Sequence, residues 1–322
     1  MNRKATKEQI YDLADIYMKE KHFEEAIVLY EELTEMSPED ESIIMSLAWA
    51  YMESGRKTSA VDCFEKLLKT ELKRKIFTGF AFDELVRIFK EEGKHDRLVD
   101  VCERVAAAQP EDVELLCALG NAYLTAGQAE KAVEVFEKVT RMDQDSSMYF
   151  ASLGEALIAA GDFDGADKAY DMAIAVNPSE ASSFYNMIGE VCFKAGQYKR
   201  SEDACKKSLK SRPDNPFYNC NLGDVMVKLG KIEGANTAYE NAVRLAPKSR
   251  GSFYNRFGNS LAAEHYHLKA IDIFKKAISA DPQNPFYYLR LAESCVAENL
   301  IGMAEKAMRQ AKALRNNENI KI

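Results

Sequence analysis

The chain has 322 residues, of which 47% are hydrophobic and 29% charged, a composition that supports a folded core and argues against global disorder. Its 43 Lys+Arg against 51 Asp+Glu give a formal charge of −8, so it lacks the basic footprint that grips phosphates, and nucleic-acid binding is set aside. No run of 18 apolar residues could span a membrane, no apolar segment follows the basic start Met1–Lys7 to form a secretory signal, and seven cysteines without a Cys-x-x-Cys pair fit a reducing, cytoplasmic compartment.

Along the chain the pairs Leu13-Ala14, Leu47-Ala48, Leu85-Val86, Leu119-Gly120, Leu153-Gly154, Ile188-Gly189, Leu222-Gly223, Phe257-Gly258 and Leu291-Ala292 recur. With each pair at positions 7 and 8 of a frame, repeats begin at Lys7, Glu41, Gly79, Val113, Ser147, Ser182, Pro216, Gly251 and Pro285. Successive starts lie 34 or 35 residues apart, except for one step of 38 between the second and third. A fixed period of this length marks a repeat array.

Within each unit the apolar positions are 4, 7, 8 and 11, then 20, 24 and 27. Offsets of three and four place each set on one stripe of a helix. Glycines at position 15 (Gly55, Gly93, Gly127, Gly161, Gly196, Gly230) supply a left-handed turn after the first helix. Prolines at position 32 (Pro38, Pro110, Pro178, Pro213, Pro247, Pro282) stop the second. Position 20 is mostly alanine, and a small residue there facing another at position 8 is expected to let the two helices approach closely. Each helix pair must bury its stripes against its neighbours.

These residues resemble the pattern of the tetratricopeptide repeat (TPR) family. The fifth repeat matches nearly throughout, with Phe150, Leu153-Gly154, Leu157, Ala166, Tyr170, Ala173 and Pro178. The resemblance covers residues 7–318 and implies an all-α fold, an α-solenoid of nine helix hairpins wound as a right-handed superhelix, whose inner groove of first helices binds proteins. The third repeat departs from the pattern with Val86 at position 8 and Leu98 at position 20. With the four extra residues before it, this predicts a hinge at 68–79, with α-helix or loop filling the insertion. The basic cluster Lys69, Lys73, Arg74 and Lys75 reads there as a solvated helix extension.

The sequence contains no phosphate loop, no His-Glu-x-x-His and no Gly-x-Ser-x-Gly, so no catalytic residue is nominated and no cofactor is implied. His265 and His267 form an incomplete metal set, and no metal site is assigned. His95 and His267 occupy position 17, where the family keeps a half-buried aromatic. Cys63, Cys102, Cys192, Cys205 and Cys295 read as small core hydrophobes. Cys117 and Cys220, at position 5, are expected to be exposed and idle.

The resemblance places positions 2, 5, 9 and 13 on the groove face. Tyr11, Met45 and the sole tryptophan, Trp49, form an apolar patch suited to a hydrophobic anchor. Asn186, Glu190, Asn221, Asp224, Asn255 and Asn259 form a polar strip suited to an extended, somewhat basic segment. The carboxylate clamp of chaperone-binding TPR domains is matched at only two of five positions, by Asn221 and Arg256, so a chaperone adaptor is disfavoured. The expected function is a non-enzymatic protein-interaction scaffold with no nucleic-acid partner and no membrane insertion. The alternative is a structural protein that forms homo-oligomers through its array ends.

Overall fold

The computed structural model describes residues 6–318, so residues 1–5 of the basic start lie outside the described residues. Among those described are eighteen α-helices in antiparallel pairs and no strand. The first four pairs are α1 (Lys7–Lys19) with α2 (Phe23–Met36), α3 (Glu41–Glu53) with α4 (Lys57–Arg74), α5 (Phe80–Glu91) with α6 (His95–Ala108), and α7 (Val113–Thr125) with α8 (Ala129–Met142). Together they make one compact unit, ending at Asp143. A second unit, from Gln144 on, holds α9 (Ser147–Ala159) with α10 (Phe163–Val176), α11 (Ala181–Lys194) with α12 (Tyr198–Ser211), and α13 (Pro216–Lys228) with α14 (Ile232–Leu245). It also contains α15 (Arg250–Ala263) with α16 (His267–Ala280), and α17 (Pro285–Ala297) with α18 (Ile301–Glu318).

Local chemistry sets these boundaries. The six position-15 glycines all adopt positive φ, between 65° and 84°, and turn the chain from first helix to second. In repeats one, eight and nine the same turn is made by Lys21, His265 and Asn299, at φ of 63°, 62° and 56°. First helices are capped by the acid or amide that follows the proline: Asp40, Asp112, Asn215 and Asn284 each accept from backbone N–H groups of the first turn. Where the step is 35 residues before repeats six and eight, the extra residue forms short 3₁₀ turns at Pro178–Glu180 and Pro247–Ser249. The larger insertion before repeat three lengthens α4 to 18 residues. It ends at Lys75 in the left-handed conformation, and the loop beyond is tied down by Thr78, whose hydroxyl donates to buried Glu71.

In repeats four, five, seven and eight the packing inside the hairpin differs from the expected small-on-small contact. A Cβ on Gly120, Gly154, Gly223 or Gly258 would lie between 2.4 and 2.6 Å from a ring carbon of Phe136, Tyr170, Tyr239 or Phe274. Position 8 is therefore glycine so that the flat ring at position 24 can lie against bare backbone. Tyr30, Phe64, Phe136, Tyr170, Tyr239 and Phe274 are all essentially fully buried, each worth roughly 1.5–3 kcal/mol of hydrophobic transfer. Repeat six does bring position 20 to position 8: Ser201 Oγ donates to the Gly189 carbonyl at 2.6 Å. In repeat three the bulk is exchanged, with Val86 at position 8 and small Cys102 at position 24.

Candidate functional site

In the second unit, first helices of successive repeats touch, α11 against α9 and α13, and α15 against α13 and α17, whereas second helices make no comparable contacts with one another. The first-helix side is thus the crowded one, and residues on it from neighbouring repeats meet. Asn186 Nδ2 donates to Glu190 Oε1 at 2.8 Å. Asn221 Nδ2 donates to Asn186 Oδ1 at 2.7 Å and to Glu190 Oε1 at 3.1 Å. Arg256 continues the row, donating to Asn221 Oδ1 at 2.6 Å and through Nε to Asp224 Oδ2 at 2.8 Å. The other oxygen of Asp224 accepts from Tyr239 at 2.5 Å. Burial, and next the Asp224 charge, push the Tyr239 phenol well above its ordinary pKa, so it remains a donor. Burial works against the Arg256 charge, but Asp224 outweighs it and holds the guanidinium's pKa up.

Four of the six residues of the expected polar strip, Asn186, Glu190, Asn221 and Asp224, therefore form one hydrogen-bonded row. Two features of that expectation are corrected. Asp224 does not offer a free carboxylate to a partner's cation, because Arg256 of the next repeat already neutralises it at 2.6 Å. Asn255 and Asn259 are not in the row: Asn255 is half-buried, and its Oδ1 is buried without a partner among the described residues. Asn259 is exposed and lines a separate cavity of about 380 Å³ with His267, Arg290 and Glu293. Arg256, named from the sequence only as a match to the carboxylate clamp, was not placed in the strip; it meets Asn221, also at position 6, only once neighbouring repeats are stacked. Cys220 is likewise corrected, since it is 0% exposed rather than on open surface. It belongs to the core cluster that holds Tyr239 of α14 and Phe257 of α15.

In the first unit the apolar patch is partly absorbed into packing. Tyr11 hydrogen-bonds Ser46 at 2.8 Å and meets Tyr30 edge-on, 5.7 Å between centroids. Trp49 is half-buried, 6.4 Å from the Phe64 ring and 6.0 Å from Phe80. Phe80 opens α5 directly after left-handed Gly79, which turns the chain into the helix. Trp49 thus contributes to the packing of repeats two and three as well as to the apolar patch. Met45 beside it is half-buried.

The thiols behave as packing atoms. Cys102, Cys192, Cys205, Cys220 and Cys295 are buried, and Cys63 and Cys117 half-buried. Burial pushes Cys205 and Cys220 up to about 12 and Cys117 up to about 11, the direction opposite to activation. His267 is half-buried as expected at position 17, but His95 is exposed. His265 and His267 rings meet at 5.8 Å, and among the described residues no cluster of three His, Cys, Asp or Glu side chains is placed to hold a metal ion. No helix among them is long and apolar enough to cross a membrane.

Two sequence models, each described as Tetratricopeptide repeat, match residues 152–216 and 220–285 and residues 11–75 and 90–153, together most of the chain. Tetratricopeptide repeat protein 16 of Macaca fascicularis is 27% identical over 125 residues, 37% of this chain and 14% of that protein. Protein O-mannosyl-transferase TMTC1 of Homo sapiens is 22% identical over 214 residues, 64% of this chain and 23% of the relative. The chain thus spans less than a quarter of either relative's length. Among solved structures, the APC/C hetero-tetramer Cut9-Hcn1 aligns with 97% of this chain and 74% of its own at 14% identity and a TM-score of 0.42.

Proposed function

This chain belongs to the tetratricopeptide repeat family, and from that premise we propose that it is a non-enzymatic scaffold that binds segments of other proteins along its first-helix face. The observation that carries the reading is the row Glu190–Asn186–Asn221–Arg256–Asp224, in which three neighbouring repeats present linked polar groups on one side. Such a row is held in place before binding, so an extended segment pays little ordering cost on the scaffold side. Glu190 is exposed and accepts through only one oxygen, so a basic residue on the partner suits it. Asn259 adds a second polar contact, and Tyr11, Met45 and Trp49 offer a separate apolar one. Thiols used as buried packing atoms suit cytoplasmic residence. The test is recovery of partners from native lysate by an Asn186, Glu190 and Asn259 triple alanine variant, with melting temperature as the control. Unchanged recovery overturns the reading.

A second reading, self-association, is favoured by one feature. Ile301, Met303 and Met308 of α18 are 49%, 40% and 45% exposed, beside a cavity of about 430 Å³ lined by Tyr288, Leu291 and Ala307. Light scattering over a concentration series tests it, and a persistent monomer removes it.

A further inference from the structure

Repeat six combines two small residues that no other repeat combines. In repeats four, five, seven and eight a glycine at position 8 is covered by an aromatic ring at position 24. In repeat three the cysteine at position 24 is offset by Val86 at position 8. Repeat six has Gly189 at position 8 and Cys205 at position 24, whose Sγ lies 2.9 Å from where a Gly189 Cβ would sit, so a single sulfur stands where other repeats place a whole ring. The consequence is visible as a cavity of about 300 Å³ between α11 and α13, opening on the first-helix face. Gly189, Cys205, Phe193 and Val225 make its walls mostly apolar, and Glu190 and Lys194 stand among its polar lining.

What the cavity lacks is seen in its neighbours. In repeat seven the ring of Tyr239 covers Gly223, and its hydroxyl donates to Asp224 at position 9, at 2.5 Å. In repeat one Tyr30 donates to Asp15, again at position 9 and again at 2.5 Å. The carboxylate at position 9 of repeat six is Glu190, which among the described residues accepts only from Asn186 and Asn221, both on Oε1. Its Oε2 is free to take one more donor. An apolar slot beside Cys205, where neighbouring repeats carry a ring, with a carboxylate acceptor in its lining has the complementarity of a phenol.

We propose that this cavity receives a tyrosine side chain from a partner protein, its ring lying against Phe193 and Val225 beside Gly189 and Cys205 and its hydroxyl donating to Glu190 Oε2. The inference rests on the scaffold reading and narrows it to partners that carry a tyrosine within an extended segment. An aliphatic side chain would fill the slot but leave Glu190 Oε2 without a donor.

The experiment titrates the full chain with p-cresol and with toluene, the side-chain analogues of tyrosine and phenylalanine, and follows the backbone amides of Gly189, Glu190 and Val225 by NMR. The expected result is a saturable shift at these amides, about fivefold tighter for p-cresol than for toluene, the worth of one hydrogen bond. Cys205→Tyr supplies the ring from within. It should keep a melting temperature at or above that of the parent and abolish p-cresol binding. Glu190→Ala, at an exposed position, should remove the preference for p-cresol over toluene whether or not Cys205→Tyr folds. No shift at these amides, equal affinity for the two probes, or p-cresol binding that survives in folded Cys205→Tyr overturns the proposal. Partner recovery that is undiminished by folded Cys205→Tyr also overturns it, yet leaves the scaffold reading standing; that reading falls only if the groove variants fail to reduce recovery.

Discussion

Tyr239 crosses its own hairpin to donate a 2.5 Å hydrogen bond to Asp224, and Tyr30 makes the same bond to Asp15 six repeats earlier. The position-24 ring thus serves two purposes, covering the bare backbone at position 8 and tying its hydroxyl to the acid at position 9. Repeat five breaks the pattern. Tyr170 is 1% exposed, yet its hydroxyl has no partner among the described residues, although Glu155 occupies position 9.

Tyrosine-to-phenylalanine substitutions should therefore have opposite consequences in different repeats. Tyr239→Phe removes a donor from the half-buried Asp224 and should cost about 1–2 kcal/mol. Tyr170→Phe removes a hydroxyl that is desolvated without compensation, so it should be neutral or stabilising. Urea unfolding of the two variants checks this, and equal losses would show that the Tyr239 bond contributes nothing specific. Asp224→Ala should cost more than Tyr239→Phe, about 2–3 kcal/mol, because it leaves the hydroxyl of fully buried Tyr239 without its acceptor and also removes the partner of Arg256. That is more than a groove position without structural duties would lose.

The left-handed turns offer a gain. Lys21 and His265 occupy a conformation that six other repeats give to glycine, at φ of 63° and 62°. A side chain there costs about 1–2 kcal/mol, only partly offset by the greater freedom that glycine has when unfolded. Lys21→Gly and His265→Gly should each stabilise by about 0.5 kcal/mol, and Gly127→Ala should destabilise by about 1 kcal/mol. Thermal unfolding of the three variants is the measurement.

Hydrogen exchange should find repeat three, α5 and α6, softer than repeats four and five. The reasons are the exchanged bulk at Val86 and Cys102, fully buried Leu98 where the other repeats carry alanine or, in repeat six, serine, and the lengthened α4 with its loop. Local stability in repeat arrays varies from unit to unit. Protection in α5 and α6 equal to that in α7 and α9 would remove the proposed hinge at 68–79.

Acid stability should depend on Glu202. Burial pushes its carboxyl pKa up, but Lys206 and Lys231, at 2.8 and 2.6 Å, outweigh burial and hold it below the usual glutamate value. A depressed folded pKa means that the contribution is fully present above the unfolded value of about 4.3 and is lost as pH falls through the folded one. Glu202→Gln should lower stability at neutral pH and flatten its fall below about pH 4. A parallel pH dependence in both proteins would contradict this.

The helices, their turns and their number were legible from residue identities, because each is decided within a few residues: glycine permits positive φ, proline ends a helix, and stripes at three and four residues define a buried face. Which second-helix side chain meets position 8 was not legible. Gly223 and Tyr239 are sixteen residues apart, and only the crossing of α13 on α14 brings ring to backbone. The candidate site divides in the same way. Asn186, Glu190, Asn221 and Asp224 could be chosen by frame position. The neutralisation of Asp224 by Arg256, the burial of Cys220 and the packing of Trp49 on Phe80 arise between repeats. They depend on distances between adjacent helices, to which a one-dimensional period is blind. The empty slot at Gly189 belongs to both levels, since two small residues in the frame mark where a ring is missing, and stacking alone determines that the space opens outward beside Glu190.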